Sequence, residues 1–317
     1  MKVRVCFHDK CFDGAASAAV FTRFYRQRLH PEAEFAYSGL SHRATQLFDD
    51  GIFDGDENVI VDFKYSSAPQ LTWWFDHHQS AFLSPEDAEH FRHDRSGKKF
   101  YDPSYKSCTK FLATVARERF QFDASSLDQL IAWADIIDGA QYPTPESAVR
   151  MAEPAMRLAL VMEGVCDKDF VPRLVPELAT RSLEEVVELP QVAKHVGSLY
   201  ARHEASIEII EGHSEYRDGV IYFDLSSFDM EGYNKFIPYY LHRDCLYSVG
   251  VSHSPLRAKV AVGSNPWHAD PKERNLATIC ERYGGGGHPR VAAISFEPTQ
   301  LDHARKVARE IAEDLRK

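Results

Sequence analysis

Residues 59–78, VIVDFKYSSAPQLTWWFDHH, decide the fold. Val59–Phe63 is a short β-branched run of the kind a strand buried on both faces uses, and Leu71–Phe75 is a second. Each run meets groups that ionise: Asp62 within the first, Asp76-His77-His78 directly after the second. The same arrangement recurs upstream. Lys2–Phe7 (KVRVCF) has strand composition, the loop His8–Gly14 follows, and Ala15–Leu29 reads as a helix. Downstream, Lys110–Arg119 and Leu127–Ile137 carry helical periodicity. Strands alternating with helices predict an α/β fold: a parallel sheet with helices on both faces. In such sheets ligands sit at the carboxyl ends of the strands, so the polar residues just after each strand hold the chemical information.

The pattern changes beyond residue 182. Leu183–Gly212 is helical with Pro190 as an interruption, and it reads as a connecting helix. Val220–Leu225, Leu246–His253 and Ala258–Val262 then look like strands, and Asp302–Arg316 looks like a closing helix. The expected organisation is a first domain over 1–187, a linker helix over 188–212 and a smaller C-terminal α/β domain over 213–317, a normal domain size.

Charge and cysteine use narrow the function. The chain has 317 residues, with 47 acidic against 37 basic ones, and a net charge of −10. Non-specific affinity for long duplex DNA needs many Lys/Arg–phosphate contacts, so that partner is not expected; a small anionic substrate held by metals or a local basic pocket is. The six cysteines form no C-x-x-C pair, which leaves a thiolate zinc knuckle unsupported and reads as reduced thiols of a cytoplasmic protein. The N-terminus reaches charged residues before a signal-peptide core could form, and no stretch approaches 18 uncharged apolar residues, so no membrane association is expected. A homodimer stays open.

Taken singly, the strand-end residues have ordinary explanations. His8 could be a hydrogen-bonded loop histidine, Asp13-Gly14 a turn or cap, and Asp62 a cap on the next element. Asp76-His77-His78 is harder to dismiss, because three adjacent titratable groups after an aromatic strand are costly unless something uses them. In Ala134-Asp135-Ile136-Ile137-Asp138-Gly139, Asp138-Gly139 reads best as a turn and Asp135 as the residue with a role. Together they supply carboxylates and imidazoles at successive element ends, a donor set suited to Mn²⁺ or Mg²⁺. Carboxylates aimed at one crevice repel unless cations lie between them, which favours more than one ion. In the second unit, Tyr283-Gly284-Gly285-Gly286-Gly287-His288-Pro289-Arg290 reads either as a flexible loop tip or as a backbone cradle for an anion. Between His253 and Arg290 there are six Lys/Arg, Arg257 among them, against three Asp/Glu, a local excess that favours the cradle.

His8, Asp13-Gly14, Asp62, Asp76-His77-His78 and Ala134-Asp135, followed by a carboxy-terminal Gly-Gly-Gly-Gly-His, resemble the DHH phosphoesterase superfamily over essentially the whole chain. The pattern looks closest to exopolyphosphatase-related and oligoribonuclease-like members. The resemblance implies an N-terminal DHH domain and a C-terminal DHH-associated domain. It also implies a manganese-dependent phosphoesterase with two ions in the interdomain cleft, Mg²⁺ or another divalent ion being an alternative. Asp62 would bridge the ions; Asp13, His77 and Asp135 would complete one shell and His8 the other. His78 would meet the scissile phosphate, with Asp76 orienting the histidines from behind. Gly285, Gly286, Gly287, His288, Arg290 and Arg257 would meet the substrate. This chain departs from the family at its first motif, where Cys11 stands in place of an aspartate and the loop is one residue shorter. The expected activity is hydrolysis of phosphodiester or phosphomonoester bonds in short nucleotides of the nanoRNA, dinucleotide or pAp type. Hydrolysis of inorganic polyphosphate or pyrophosphate is the alternative, and a catalytically weak nucleotide sensor is a third reading, motivated by Cys11.

Overall fold

The computed structural model describes residues 1–41, 48–49, 51–228, 230, 232–268, 272 and 274–316. The chain forms two compact units: residues 1–142 with 152–199, and residues 143–151 with 200–317. The division differs from the sequence expectation in two ways. The helix expected to be a separate linker runs from the first unit into the second, and the short segment 143–151 belongs with the second. Hydrogen bonds explain the latter: His203 Nε2 lies 2.6 Å from the Val149 carbonyl oxygen, and Asn234 Nδ2 donates to that of Ala148 at 2.8 Å.

The first unit is built on β1 (Lys2–His8), α1 (Phe12–Arg28), β2 (Glu34–Leu40), β3 (Glu57–Val61), β4 (Leu71–Asp76), α2 (Pro85–His93), β5 (Lys99–Tyr101), α3 (Cys108–Phe120) and α4 (Asp128–Asp138). After α5 (Pro145–Val149), it is completed by α6 (Pro154–Gly164), α7 (Phe170–Leu178), α8 (Leu183–Val187) and the start of α9 (Pro190–Gly212). Its sheet is wholly parallel, in the order β2-β1-β3-β4-β5. The two-residue side-chain period divides the strands between two cores. Val3, Val5, Phe7, Val59, Val61, Trp73 and Phe75 pack with α1, α3, α6 and α7 on one face. Cys6, Ile60 and Trp74 pack with Phe63, Tyr65, Ala81 and Phe91 of α2 on the other. Helices therefore lie on both faces. The chain leaves β1 towards β2 on one side and returns to β3 on the other, so the sheet's topological switch point falls between β1 and β3.

The second unit carries β6 (Ser214–Arg217), β7 (Val220–Asp224), α10 (Ile237–Leu241), β8 (Tyr247–Ser254), β9 (Arg257–Ser264), α11 (Leu276–Glu281), β10 (Gly286–His288), β11 (Val291–Phe296) and α12 (Leu301–Leu315). Its sheet is mixed, ordered β10-β11-β9-β8-β7-β6, with β7 and β8 the parallel pair. Ala304, Val307, Ala308, Ile311, Ala312 and Leu315 recur at helical spacing along α12 and bury against the alternating residues of β7, β8 and β9. Among the described residues no helix is long and apolar enough to cross a membrane.

Candidate metal centre

Three adjacent strands of the first unit end at one place. His8 is the last residue of β1, Asp62 follows β3, and Asp76 closes β4 with His77 and His78 behind it. This is the carboxyl edge at the switch point, where no neighbouring strand fills the crevice. Asp62 adopts the left-handed backbone (φ 57°), a conformation that costs a β-branched or bulky residue more than aspartate. Its peptide N–H is retained by the Phe75 carbonyl at 3.0 Å. The strained residue is thus the one at the centre of the cluster, as expected where surrounding structure holds a functional group in place.

Asp13 approaches from α1, in that helix's first turn. Asp13-Gly14 is therefore neither a turn nor the cap. The Asp13 carboxylate lies against the N-terminus of α3, accepting the Cys108 N–H at 2.7 Å and the Thr109 N–H at 3.0 Å. Gly14 is needed for packing: a Cβ there would stand 2.2 Å from the His8 carbonyl oxygen.

The side chains form three groups whose ligand-type atoms lie within 4.8 Å of one another: His8–Cys11–Asp62, Asp62–His77–His78 and Asp13–His77–Asp138. His77 Nε2 is 3.4 Å from Asp62 Oδ1, 3.4 Å from Asp138 Oδ2 and 3.7 Å from Asp13 Oδ2. His8 Nδ1 is 3.4 Å from Asp62 Oδ2. Asp62 is 1% exposed, and neither its carboxylate oxygens nor His77 Nε2 makes a well-formed hydrogen bond; what faces them is the looser ion-pair contacts just given. Buried charged oxygens are costly without compensation, and a cation among them supplies it. The orphaned atoms and the carboxylate–imidazole donor set both fit divalent metal.

The histidines are oriented from outside. His77 Nδ1 lies 3.2 Å from the Tyr105 carbonyl oxygen, so the proton belongs there and Nε2 faces the carboxylates. His78 Nδ1 is 2.7 Å from Asp76 Oδ1, which also accepts the His77 and His78 peptide N–H groups. Asp76 thus holds the turn and the ring together. The expected place of Asp135 requires correction. Its carboxylate pairs with Lys110 Nζ at 2.5 Å and accepts the Ser107 hydroxyl at 3.2 Å. Asp138, one turn on at the end of α4, joins Asp13 and His77 instead. Sequence reading missed this because the partner that holds Asp135 is distant in the chain. It also missed Tyr105 and the Cys108 and Thr109 peptides, which act through backbone atoms and leave no side-chain signature.

The electrostatics are those of charges crowded at one point. Burial opposes ionisation of Asp62, but the His77 and His8 rings hold its carboxyl below the usual carboxylate range. Burial, Asp62 and Asp138 push Asp13 well above that range. Burial and Asp62 lift Asp138 to about 6. Burial disfavours the charged form of His77, but Asp62, Asp13 and Asp138 raise it to about 10. In the metal-free cluster, protons do part of the work of cations.

In the second unit, the tetraglycine is not simply a loop. Gly286–His288 forms β10 at the sheet edge, paired antiparallel with β11. A Cβ at Gly285 would stand 2.4 Å from the Ala293 carbonyl oxygen and one at Gly287, whose φ is +147°, 2.5 Å from that of Val291; around Gly286 there is open space. Two of the four glycines are therefore explained by close strand packing. Arg274 and Arg282 both engage Asp314 of α12, at 3.2 and 2.8 Å, which removes two cations from the local excess. Asp270 and Glu273, two of the three acidic residues in that count, lie outside the described residues.

Neither a protein-family model nor a curated protein matches the sequence. Solved structures do. The chain is similar to the pGpG-specific phosphodiesterase PggH from Vibrio cholerae, with 19% identity and a TM-score of 0.68 over 99% of this chain and 100% of that one. It is similar to an exopolyphosphatase-related protein from Bacteroides fragilis, with 13% identity and a TM-score of 0.53 over 99% of this chain and 92% of that one. RecJ from Thermus thermophilus, solved in complex with Mn²⁺, gives 14% identity and a TM-score of 0.54 over 99% of this chain and 52% of that one. The chain has the fold of the DHH phosphoesterases.

Proposed function

We propose that the protein is a metal-dependent phosphoesterase acting on short nucleotides, with linear dinucleotides as the leading substrate class. The observation that carries this reading is Asp62: a buried carboxylate whose two oxygens make no well-formed hydrogen bond, one facing His8 and the other His77 and His78, with the Cys11 sulfur grouped on the His8 side. Divalent ions on either side would draw charge from the phosphoryl oxygens and ease attack by water. We assign one ion to Asp13, His77, Asp138 and Asp62, and the other to Asp62 and His8, with Mn²⁺ as the leading cation. The residues around them do the positioning. His77 is fixed by Tyr105 and offers Nε2. His78, its Nδ1 engaged by Asp76, has Nε2 left to hold a phosphate oxygen. Gly285–His288, Arg290 and Arg257 are the proposed substrate-binding elements of the second unit.

The full-length similarity to a phosphodiesterase of pGpG favours dinucleotides over polyphosphate as the first substrates to try. Trp267 packs against Phe236 and Tyr239, Tyr101 stacks on Trp74, and the Tyr283 hydroxyl donates to Glu310, so no aromatic ring is assigned to a base. The test is a substrate panel with added Mn²⁺: 5′-phosphorylated dinucleotides, a 3′,5′-bisphosphorylated nucleoside, cyclic dinucleotides, pyrophosphate and polyphosphate. Release of mononucleotide from the linear dinucleotides, well above the other rates, is expected. Turnover confined to polyphosphate or pyrophosphate would replace the substrate class, and turnover of none would favour a nucleotide-binding role.

A further inference from the structure

The two sides of Asp62 differ in chemistry. Asp13, His77 and Asp138 offer only oxygen and nitrogen, whereas the His8 side includes the Cys11 sulfur in one group with His8 and Asp62. We infer that His8, Cys11 and Asp62 form a mixed nitrogen–sulfur–oxygen site selective for a borderline divalent ion of the Zn²⁺ type, beside a harder site for Mn²⁺ or Mg²⁺. The inference rests on the metal-centre reading above and assigns the metal class of one half of it.

Local structure explains why the sulfur is there. β1 ends at His8, Lys10 takes the left-handed backbone (φ 54°), and the chain turns back so that Cys11 becomes the N-cap of α1. Cys11 is half-buried, and its sulfur is grouped with the His8 and Asp62 donors. The orphaned Asp62 carboxylate supplies an independent sign that a cation belongs at this point. A tetrahedral ion with bonds of about 2.0–2.3 Å needs donor atoms about 3.3–3.8 Å apart. His8 Nδ1 and Asp62 Oδ2 are already at 3.4 Å, and the sulfur is within 4.8 Å of a ring nitrogen of His8 and a carboxylate oxygen of Asp62. Three protein donors leave a coordination position open, as in reactive rather than sealed zinc sites. Sulfur is a poor partner for Mn²⁺ and a good one for Zn²⁺, which is why the two halves should sort different ions.

Cobalt(II) tests this without recourse to activity, since thiolate ligation adds an intense near-ultraviolet charge-transfer band. Metal-free wild-type protein titrated with Co²⁺ should develop the band, and so should Cys108→Ala, which removes the other thiol beside Asp13. Cys11→Ser should bind Co²⁺ without the band and bind Zn²⁺ about 10-fold or more weakly. Co²⁺ binding by wild type without the band, or a band that survives Cys11→Ser, would overturn the inference and leave the metal centre standing. No Co²⁺ binding at all would overturn both. Should Cys11→Ser fail to fold, X-ray absorption of Zn²⁺-loaded wild type decides: a Zn–S distance of about 2.3 Å is expected, and a shell of oxygen and nitrogen only would refute the assignment.

Discussion

His77 shows how a single residue couples the site to pH. Burial disfavours its imidazolium in the metal-free protein, but three carboxylates outweigh that and lift its titration from the ordinary histidine value of about 6.5 to about 10. A raised histidine contributes stability that is full below about 6.5 and fades as the pH climbs towards 10, so metal-free protein should lose stability across that window. To serve as a ligand through Nε2, the ring must give up that proton. Mn²⁺ binding at pH 7.5 should therefore release at least one proton, measurable by calorimetry in two buffers of different ionisation enthalpy, and its affinity should rise with pH. Binding with no proton release would show that His77 is not a ligand. The same scale separates the two aspartates of α4. Asp138→Asn should weaken Mn²⁺ binding about 10-fold or more, whereas Asp135→Asn removes a partner of Lys110 and should leave it within about 3-fold. Equal losses would mean that Asp135 also reaches the metal.

At the level of elements, the central strands were legible from their short apolar and β-branched runs: Lys2–Phe7 and Leu71–Phe75 fall on β1 and β4, and Val59–Val61 of the run Val59–Phe63 falls on β3. β2 and β5 were not legible. They are the edges of the sheet, half-buried, and their residues EFAYSGL and KFY carry no comparable run. The helices over 145–178 were missed for a different reason: they are short, and prolines at 145, 154, 173's neighbour 172 and 176 punctuate the pattern. The residues that gather in the cluster could be picked out because most of them sit at strand ends, where the fold brings polar groups together. Within α4 the sequence did not separate Asp138 from Asp135, because the two lie three residues apart and only tertiary partners decide. The junction between β1 and α1 offers a test. Gly14→Ala would place Cβ 2.2 Å from the His8 carbonyl oxygen, forcing the strand end and helix apart. It should destabilise the protein by about 1–3 kcal/mol in denaturant unfolding and weaken metal binding together. Loss of stability with metal affinity intact would show that this packing does not position the ligands.

For the whole molecule, the cluster belongs entirely to the first unit, so metal should act on that unit alone. Free Mn²⁺ at 100 times its dissociation constant contributes about 2.7 kcal/mol to a state that binds it only when folded. For a unit of this size that corresponds to a rise of roughly 5–10 °C in its melting transition. Calorimetry should show that rise in one transition and leave the unfolding of the second unit in place. A uniform rise in both would mean that the units unfold as one. The most direct test of the central claim is hydrolysis of a 5′-phosphorylated dinucleotide by wild-type and Asp62→Asn protein, each assayed with Mn²⁺ and with EDTA. Wild type should be active with Mn²⁺ and silent in EDTA, and Asp62→Asn should fall at least about 1,000-fold while staying folded, on the scale of losing a group central to transition-state charge stabilisation. Asp62→Asn activity above a tenth of wild type, or wild-type turnover undiminished by EDTA, would contradict it.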